Sequence, residues 1–475
     1  MNRREFLKGT AWMGLAAAAA GCNGFRIPGS GAGGKMAFYA DKPIRKLRVG
    51  VIGLRRGMVG VRSFASIPGC EVRAMCDLYH VNFIRAKKVL DKAGVKYKPR
   101  EYTGPEDWKK ICDADDIDLV YNATPWQLHV PIALYAMRAG KHVVTEVPAA
   151  FTVDECWELV ETSESLERHC MMLENCCYGE IEMLALNLCR KGMFGELVHG
   201  EGAYIHDLRQ YHYGDWLEDS PGWDYKQKHH AYWDYWRLRH NMVHKGNQYP
   251  THGLGPVCQY MNINRGDRFD YLVSLESDQF GFESYAKSKY PADHWKSKKK
   301  VAMGDMNTTL LRTALGRSIM IQHDVSSPRP YSRINTISGT KGILTDYPYR
   351  VGWEEKPGIG VHRFFADAKA EEIRKTHMHP LWKQAGDLAK RMGGHGGMDF
   401  LMVLRLAYCL QNGLPLDQNV YDLASWSCLA ELTEKSVRNN SAPQSVPDFT
   451  RGGWKTTPPL GIEGVDMTKL GMVGA

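Results

Sequence analysis

Residues 47–57 read LRVGVIGLRRG, a β-branched run that closes on glycines. Residues 47–54 are typical of a strand buried in a parallel sheet, and a tight turn at 55–57 leads into a helix. A second run, EVRAMCD at 71–77, predicts another strand that ends on Asp77. In dinucleotide-binding folds the first turn binds the pyrophosphate through backbone N–H groups, and an acid about 20 residues further on binds the ribose diol. The sequence therefore predicts an α/β fold that begins with a Rossmann-type, doubly wound parallel sheet.

The first turn also bears on which dinucleotide would bind. We predict that Leu54, Arg55 and Arg56 contact the cofactor from the turn, together with Asp77. Asp77 favours NAD, because a 2′-phosphate would meet a like charge. The side chains of Arg55 and Arg56 could instead serve that phosphate, which leaves NADP open. The turn departs from the usual G-x-G-x-x-G pattern, since Arg55 stands where the middle glycine belongs.

Two further runs continue the alternation of strands and helices. They are DLVYNA at 118–123 and HVVTE at 142–146. Ligands of such sheets bind in the crevice outside the carboxyl ends of the strands. Trp126, His129 and Glu146 fall at those ends, and we predict that they contact the cofactor.

Composition and charge exclude several classes of protein. The chain has 475 residues, 44% of them hydrophobic and 24% charged, which argues against a disordered chain, a collagen-like repeat and a coiled coil. Its net charge of +8 is spread out, with a tight cluster only at 298–300, so we expect no nucleic-acid partner. Twelve cysteines without a C-x-x-C spacing indicate buried free thiols and folding in a reducing compartment.

The N-terminus resembles an export signal. Arg3 and Arg4 precede the stretch EFLK, and an apolar run follows at 11–20, which resembles the twin-arginine signal. The box AAGC at 19–22 resembles a lipoprotein cleavage site with alanine in place of leucine, so a lipidated Cys22 and an unlipidated form both remain open. We expect export by the twin-arginine route to the periplasm or to a lipid anchor at the cell envelope. Residues 23–35 are typical of a flexible tether, and no later segment has 18 consecutive apolar residues.

Several separate motifs follow one another in an order that matches a known family. From 124 to 426 they are TPWQLH (124–129), EV (146–147), LENCCY (173–178), KGMFGELVHG (191–200), YIHDLR (204–209), YPTHG (249–253), RPY (329–331), GHGGMD (394–399) and VYDLASW (420–426). The chain resembles the Gfo/Idh/MocA oxidoreductase-like proteins and, within them, glycoside hydrolase family 109, from about Leu47 to Trp454. The resemblance implies an N-terminal NAD-binding Rossmann domain at 36–170, after a signal and tether at 1–35. It implies at 171–475 a C-terminal α/β domain with a large open, mostly antiparallel sheet, whose last helices pack back.

The resemblance also implies an unusual glycosidase mechanism with bound NAD⁺. Hydride leaves carbon three of the sugar, the resulting ketone acidifies the proton on carbon two, and removal of that proton expels the glycosidic oxygen. Water then adds to the enone, and the hydride returns. Dehydrogenase relatives usually carry Glu-Lys-Pro where this chain has Glu146, Val147 and Pro148, and the missing lysine argues against an ordinary sugar dehydrogenase.

The same resemblance suggests roles for individual residues. His252 is the candidate base at the 3-hydroxyl, because histidine titrates near neutral pH. Tyr204 and Tyr331 are candidates for proton transfer at carbon two or for the enolate oxygen, and a nearby cation would have to lower the pKa of a phenol that acts as a base. Glu174 would hold the substrate or tune the histidine. The residues predicted to contact the sugar are Tyr204, Arg237, Tyr249, His252 and Tyr331. Val147 and Asn175 are predicted to contact the cofactor.

Some alternatives stay open. The substrate implied is an N-acetylgalactosaminide, and an exported sugar oxidoreductase with net turnover of NAD or a noncatalytic sugar-binding protein are the other hypotheses. The aromatic residues between 204 and 249 suit either sugar stacking or a packed core or subunit interface, so a homo-oligomer also remains open. The glycines around His395 suit a substrate-side loop or a domain-packing turn. We expect no metal, because H-E-x-x-H is absent and the implied chemistry needs none.

Overall fold

The computed structural model describes residues 34–214, 232 and 235–472. The predicted export signal, with Cys22, lies outside these residues, as do several of the aromatic residues between 215 and 234. Within the described part, no helix is both long enough and apolar enough to cross a membrane. The cysteines described there are free thiols, and all but Cys189 are buried.

The first half of the molecule forms a six-stranded sheet in which every neighbouring pair is parallel. Its strands lie in the order β3-β2-β1-β4-β5-β6. Their bounds are β1 Leu47–Ile52, β2 Cys70–Cys76, β3 Arg100–Tyr102, β4 Leu119–Asn122, β5 His142–Thr145 and β6 Cys170–Met172. Five helices connect them: α1 Met58–Ser66, α2 His80–Lys92, α3 Trp108–Cys112, α4 His129–Arg138 and α5 Val153–Leu166. This confirms the predicted Rossmann fold, in which β-branched strands are buried on both faces by helices.

The second half is built on an eight-stranded mixed sheet, ordered β13-β12-β11-β7-β10-β9-β8-β14. The strands are β7 Leu197–Ile205, β8 Phe269–Glu276, β9 Asn307–Thr313, β10 Ser318–Asp324, β11 Thr336–Gly339, β12 Gly342–Thr345, β13 Arg350–Trp353 and β14 Gln444–Ser445. Only β7 and β10 pair in parallel, and the other neighbours are antiparallel. The large, mostly antiparallel sheet is therefore confirmed.

Helices of the second half cover this sheet and return to the first. They are α6 Glu180–Arg190, α7 Arg209–Tyr213, α8 Trp236–Asn241, α9 Thr251–Met261, α10 Gly281–Lys289, α11 Trp295–Lys298, α12 Asp367–His377, α13 Pro380–Met392, α14 Met398–Asn412, α15 Val420–Ser427 and α16 Leu429–Arg438. Helix α14 packs on α1, and α15 packs on α5 and β6. The Ser427 hydroxyl accepts a hydrogen bond from the Ala149 amide, and Glu431 accepts one from the Val153 amide. The C-terminal helices thus close on the Rossmann sheet, whose last strand crosses the predicted domain limit at residue 170.

Candidate active site

The turn after β1 explains the irregular glycine pattern. Gly53 has φ +84°, and a Cβ there would lie 2.4 Å from the Ala123 carbonyl oxygen. A Cβ on Gly57 would lie 2.2 Å from the Gly53 carbonyl oxygen, which accepts a hydrogen bond from the Gly57 amide. The turn therefore needs glycine at its first and fifth positions, and Arg55 occupies a position without that demand.

Asp77 stands at the carboxyl end of β2, beside this turn. Its carboxylate accepts hydrogen bonds from the Leu54 amide (2.7 Å), the Tyr79 amide (2.8 Å) and the Asn82 side chain (3.0 Å). An acid fixed next to the glycine turn fits a ribose diol and would repel a 2′-phosphate, so the residues present suit NAD. Arg55, on the same turn, lies within electrostatic range of Asp77, and burial lowers the pKa of its guanidinium.

The side chain of Arg56 does not take the phosphate-binding role that the sequence left open. Its Nε donates to Glu146 (3.0 Å), and its two terminal nitrogens donate to Asp399 (3.2 Å each). Burial alone would lower the pKa of Arg56, but these two carboxylates hold it well above its usual range. The interpretation of this guanidinium as a ligand for a 2′-phosphate is therefore wrong, because both of its edges are occupied by carboxylates.

The loops after β4 and β5 are tied to each other. The Trp126 indole N–H donates to the Val147 carbonyl at 3.1 Å. The two ring nitrogens of His129 lie 2.8 Å and 2.9 Å from the carbonyl oxygens of Pro148 and Thr124. Burial lowers the pKa of His129 to about 4, although the two carbonyl oxygens act in the opposite direction, and the ring joins the two loops. A polar contact between the His129 ring and a cofactor is excluded by these bonds, whereas contacts of Trp126 and Val147 remain predictions.

His252 and Glu174 form a buried pair at the centre of the site. The His252 Nδ1 lies 2.9 Å and 3.0 Å from the two carboxylate oxygens of Glu174, and the Glu174 side chain is fully buried. Burial would raise the pKa of Glu174, but the imidazole and the hydrogen bonds that the carboxylate accepts hold it below its ordinary value. Because the carboxylate accepts the proton on Nδ1, Nε2 is left as the basic nitrogen, and it faces the Tyr249 hydroxyl at 3.5 Å.

Two glycines of α9 fix where this pair stands. A Cβ on Gly253 would lie 2.2 Å from the Ala203 amide nitrogen, so the helix start lies directly on β7. A Cβ on Gly255 would lie 2.9 Å from Cγ of Glu174 and 3.0 Å from Sγ of Cys177. The sequence THGLG thus brings His252 against the sheet and onto Glu174, because neither Gly253 nor Gly255 carries a side chain that would hold the helix away.

Three tyrosines surround the histidine. The ring of Tyr204 lies 4.7 Å from that of Tyr249, 5.3 Å from the His252 ring and 6.1 Å from the Tyr331 ring, between centroids. Burial raises the pKa of Tyr204 and of Tyr249, which keeps both phenols protonated. The structure therefore brings together four of the five residues predicted to contact the sugar: Tyr204, Tyr249, His252 and Tyr331.

The oxygen of Tyr331 is contacted by a cation. Arg333 donates from Nη1 to the Tyr331 hydroxyl at 3.0 Å, and its other edge binds Glu182. Burial raises the pKa of Tyr331 above its ordinary value, although the guanidinium acts in the opposite direction. The His206 ring lies 5.0 Å from the Tyr331 ring, and its Nδ1 lies 3.3 Å from the Tyr204 hydroxyl.

Arg237, a predicted sugar contact, lies in a stack of aromatic rings. Its guanidinium carbon is 4.4 Å from the Trp126 ring centroid and 4.8 Å from that of Tyr249, and Nη1 donates to the Tyr232 hydroxyl. Burial would lower the pKa of Arg237, but the phenolic oxygens around it raise the pKa. The cation therefore links the first-domain loop at Trp126 to the tyrosines of the second domain.

Glu174, Cys176 and His252 also offer three atoms of metal-ligating type within 4.8 Å of one another. Glu174 and His252, however, bond each other directly, and burial raises the pKa of the Cys176 thiol well above its usual range. The donor set is thus a neutral thiol and an imidazole whose Nδ1 proton is already accepted by the carboxylate. That arrangement suits proton transfer better than metal binding.

Four further residues of the site were not singled out from the sequence. His206 and Asp399 lie in the quoted motifs YIHDLR and GHGGMD, and Arg333 stands two residues from a predicted tyrosine, so motif membership and the alternation of an extended segment are the signals that could have found them. Glu182 acts through its long-range contact with Arg333, and Asp399 through Arg56. Asp399 also accepts a hydrogen bond from the side chain of Asn175, which the sequence predicts as a cofactor contact.

Comparisons with known proteins agree with this geometry. Residues 178–456 match the family model "Glycosyl hydrolase 109, C-terminal domain", and residues 47–174 match "Oxidoreductase family, NAD-binding Rossmann fold". An α-N-acetylgalactosaminidase of Bacteroides fragilis is 47% identical over 88% of this chain and 95% of its own. One of Shewanella oneidensis is 44% identical over 98% of this chain and 99% of its own.

Solved structures share the fold at low sequence identity. An oxidoreductase domain protein from Kribbella flavida superposes with a TM-score of 0.63 at 19% identity, over 85% of this chain and 100% of its own. Levoglucosan dehydrogenase in complex with NADH and levoglucosan gives 0.59 at 19% identity, with the same coverage. The family models and the close relatives together identify the chain: it belongs to glycoside hydrolase family 109, and its residues 47–174 form the NAD-binding Rossmann domain of the Gfo/Idh/MocA oxidoreductases.

Proposed function

We propose that this enzyme hydrolyses N-acetylgalactosaminides by transient oxidation at carbon three of the sugar, elimination of the aglycone, addition of water and re-reduction. The observation that carries the proposal is the Glu174–His252 pair, with Nε2 of His252 facing the tyrosines at the carboxyl edge of the Rossmann sheet. The relatives at 44–47% identity named α-N-acetylgalactosaminidase support this choice of sugar.

NAD⁺, when bound, supplies a reversible hydride acceptor. On the protein side, His252 takes the proton of the 3-hydroxyl on Nε2 as the carbon–oxygen bond becomes a carbonyl. Glu174 makes this possible in two ways, because it fixes the tautomer through Nδ1 and stabilises the imidazolium that forms. The proton returns from Nε2 when the ketone is reduced, so the pair ends as it began.

The proton on carbon two needs a second group, and Tyr331 is the tyrosine best suited to take it. Burial raises the pKa of all three phenols, so a tyrosine that acts as a base needs a cation at its oxygen, and Arg333 donates directly to the Tyr331 oxygen. Tyr204 and Tyr249 stay protonated and therefore donate hydrogen bonds, which suits the developing enolate oxygen and the sugar hydroxyls. Arg237 presents a cation beside Tyr249 and is placed to bind the sugar.

A screen of nitrophenyl glycosides, with no NAD added, tests the proposal. We expect the purified enzyme to carry dinucleotide and to release nitrophenol from the N-acetylgalactosaminide without accumulating NADH. His252→Ala should abolish release, whereas His244→Ala should not, because His244 pairs with Glu434 away from the tyrosines. Steady NADH accumulation would instead support a net sugar oxidoreductase. Full-speed cleavage by protein that holds no dinucleotide would refute the mechanism.

We also propose that the enzyme leaves the cytoplasm by the twin-arginine route, as Arg3 and Arg4 and the apolar run after them suggest. An enzyme that regenerates its cofactor in every turnover needs only the one molecule with which it folded. Replacement of both arginines by lysine in the full chain should retain the enzyme in the cytoplasm. Labelling with a fatty acid, compared between the wild type and Cys22→Ala, distinguishes a lipid anchor from free export.

A further inference from the structure

The carboxylate of Asp399 accepts hydrogen bonds from three separate segments of the site. Asp399 opens α14, and only 1% of its surface is exposed. It accepts two hydrogen bonds from Arg56 on the turn after β1, one from the Asn175 side chain after β6, and one from Nδ1 of His395 at 2.9 Å. Two of these three partners, Arg56 and Asn175, are predicted to contact the cofactor, and each follows a strand of the Rossmann sheet.

The charge on this group is held strongly. Burial would raise the pKa of Asp399, but Arg56 and His395 hold it well below its usual range. Through the Nε of Arg56, the network continues to Glu146 at the end of β5, and Glu146 accepts from the Tyr121 hydroxyl at 3.3 Å. The chain Asp399–Arg56–Glu146 therefore runs from a helix of the second half into the carboxyl edge of the Rossmann sheet.

The ion pair of Asp118 with Arg48 serves as a comparison for Asp399. Asp118 holds Arg48 through Nε (2.9 Å) and Nη2 (2.6 Å), just before β4, at the opposite edge of the same sheet. Asp118 and Arg48 both belong to the Rossmann half. Their ion pair therefore does not connect the two parts of the molecule that would have to separate for a dinucleotide to leave. Asp399, in contrast, bonds across the two halves.

From this arrangement we infer that Asp399 is the positioning residue that keeps the dinucleotide in its site between turnovers. The inference rests on the proposed function, in which one cofactor molecule serves many cycles. Asp399 acts through Arg56 and Asn175. While its carboxylate holds them, the turn after β1 and the segment after β6 stay joined to the second half, and a dinucleotide held between them cannot leave without breaking charge-assisted hydrogen bonds.

Asp399→Asn, with Asp118→Asn as the matched control, tests this inference by measuring binding instead of catalysis. We expect purified Asp399→Asn to have lost bound dinucleotide and to bind added NAD⁺ about tenfold or more weakly than the wild type, the loss expected for a charge-assisted hydrogen bond. Asp118→Asn should retain dinucleotide even if its melting temperature falls by as much as that of Asp399→Asn. Added NAD⁺ should restore nitrophenol release to Asp399→Asn.

A double variant separates positioning from mere stability. If Asp399 acts through Arg56, then Arg56→Lys/Asp399→Asn should bind NAD⁺ about as weakly as Arg56→Lys alone. Should Asp399→Asn fail to fold, Arg56→Lys still tests the contact between Asp399 and Arg56. Lysine cannot hold both Glu146 and Asp399 as the guanidinium does, so this variant should lose bound dinucleotide. Dinucleotide retained by either variant as in the control would overturn the inference. A wild type that holds dinucleotide but cleaves no glycoside would refute the proposed function and leave this inference standing.

Discussion

Replacement of Glu174 by glutamine should slow the enzyme without unfolding it. The carboxylate is fully buried, and its oxygens lie 2.9 Å and 3.0 Å from Nδ1 of His252. One of these oxygens also accepts the Cys176 amide at 3.0 Å. In the variant the amide oxygen can keep that bond, but the amide nitrogen then faces Nδ1 from the other side.

One loss follows from this change. The amide oxygen can keep both the Cys176 amide and the proton on Nδ1 of His252, but the imidazolium formed during proton transfer loses its counter-ion. A charge-assisted hydrogen bond of this kind contributes about 2–3 kcal/mol. If that stabilisation is felt in the transition state, kcat should fall by about 30- to 150-fold.

The assay is nitrophenol release by dinucleotide-loaded enzyme, with melting temperature and bound dinucleotide measured beside it. The matched control is Glu434→Gln, because Glu434 also accepts from a histidine Nδ1, that of His244 at 2.8 Å, outside the tyrosine cluster. We expect Glu434→Gln to cleave at the wild-type rate. A Glu174→Gln enzyme that does the same would refute the assignment of His252 as a base held by Glu174, as would a loss no larger than the control's.

Three other predictions use different parts of the molecule. Tyr331→Phe should lower kcat by about a hundredfold, whereas Tyr349→Phe, whose hydroxyl donates to a backbone carbonyl away from the site, should not; equal rates would remove Tyr331 from proton transfer. Gly253→Ala should cost about 1–3 kcal/mol of stability and most of the activity, because the new Cβ has no room beside Ala203 and moves His252; a wild-type rate would contradict that reasoning. Burial lowers the pKa of His142 from 6.5 to about 4, so the unfolded chain takes up this proton first, and the stability that His142 contributes, which is complete above pH 6.5, should fall by up to about 1.4 kcal/mol per pH unit down to about pH 4. His142→Asn should flatten that fall in thermal melts, and an unchanged slope would refute the assignment.

The parallel sheet was the part of the structure that local sequence could predict. β-branched runs are typical of buried parallel strands, and the structure confirms the two predicted at 47–54 and 71–77 as β1 and β2, within two residues at each end. The domain limit at residue 170 stays a prediction, and the strand β6 that crosses it is three residues long and carries almost no periodic signal. The second sheet followed from the family resemblance, since its short strands pair over long separations.

Glu174 and His252 could be named from the motifs, but their geometry could not. They are 78 positions apart, and their contact depends on the close approach of the α9 glycines to β7 and to Glu174. Arg56 illustrates the opposite outcome. An arginine on a phosphate-binding turn suggests a phosphate ligand, but its guanidinium is bound by Asp399, 343 positions away. Only the packing of α14 on α1 brings that carboxylate to it.

In the proposed mechanism the aglycone leaves by elimination after oxidation at carbon three, with no net redox change. Hydrolysis in heavy water, with the released sugar analysed by nuclear magnetic resonance, distinguishes this route from direct displacement. We expect deuterium at carbon two of the product and no accumulation of NADH, because the proton removed there exchanges with solvent before it is replaced. A product that retains its original hydrogen at carbon two would contradict it.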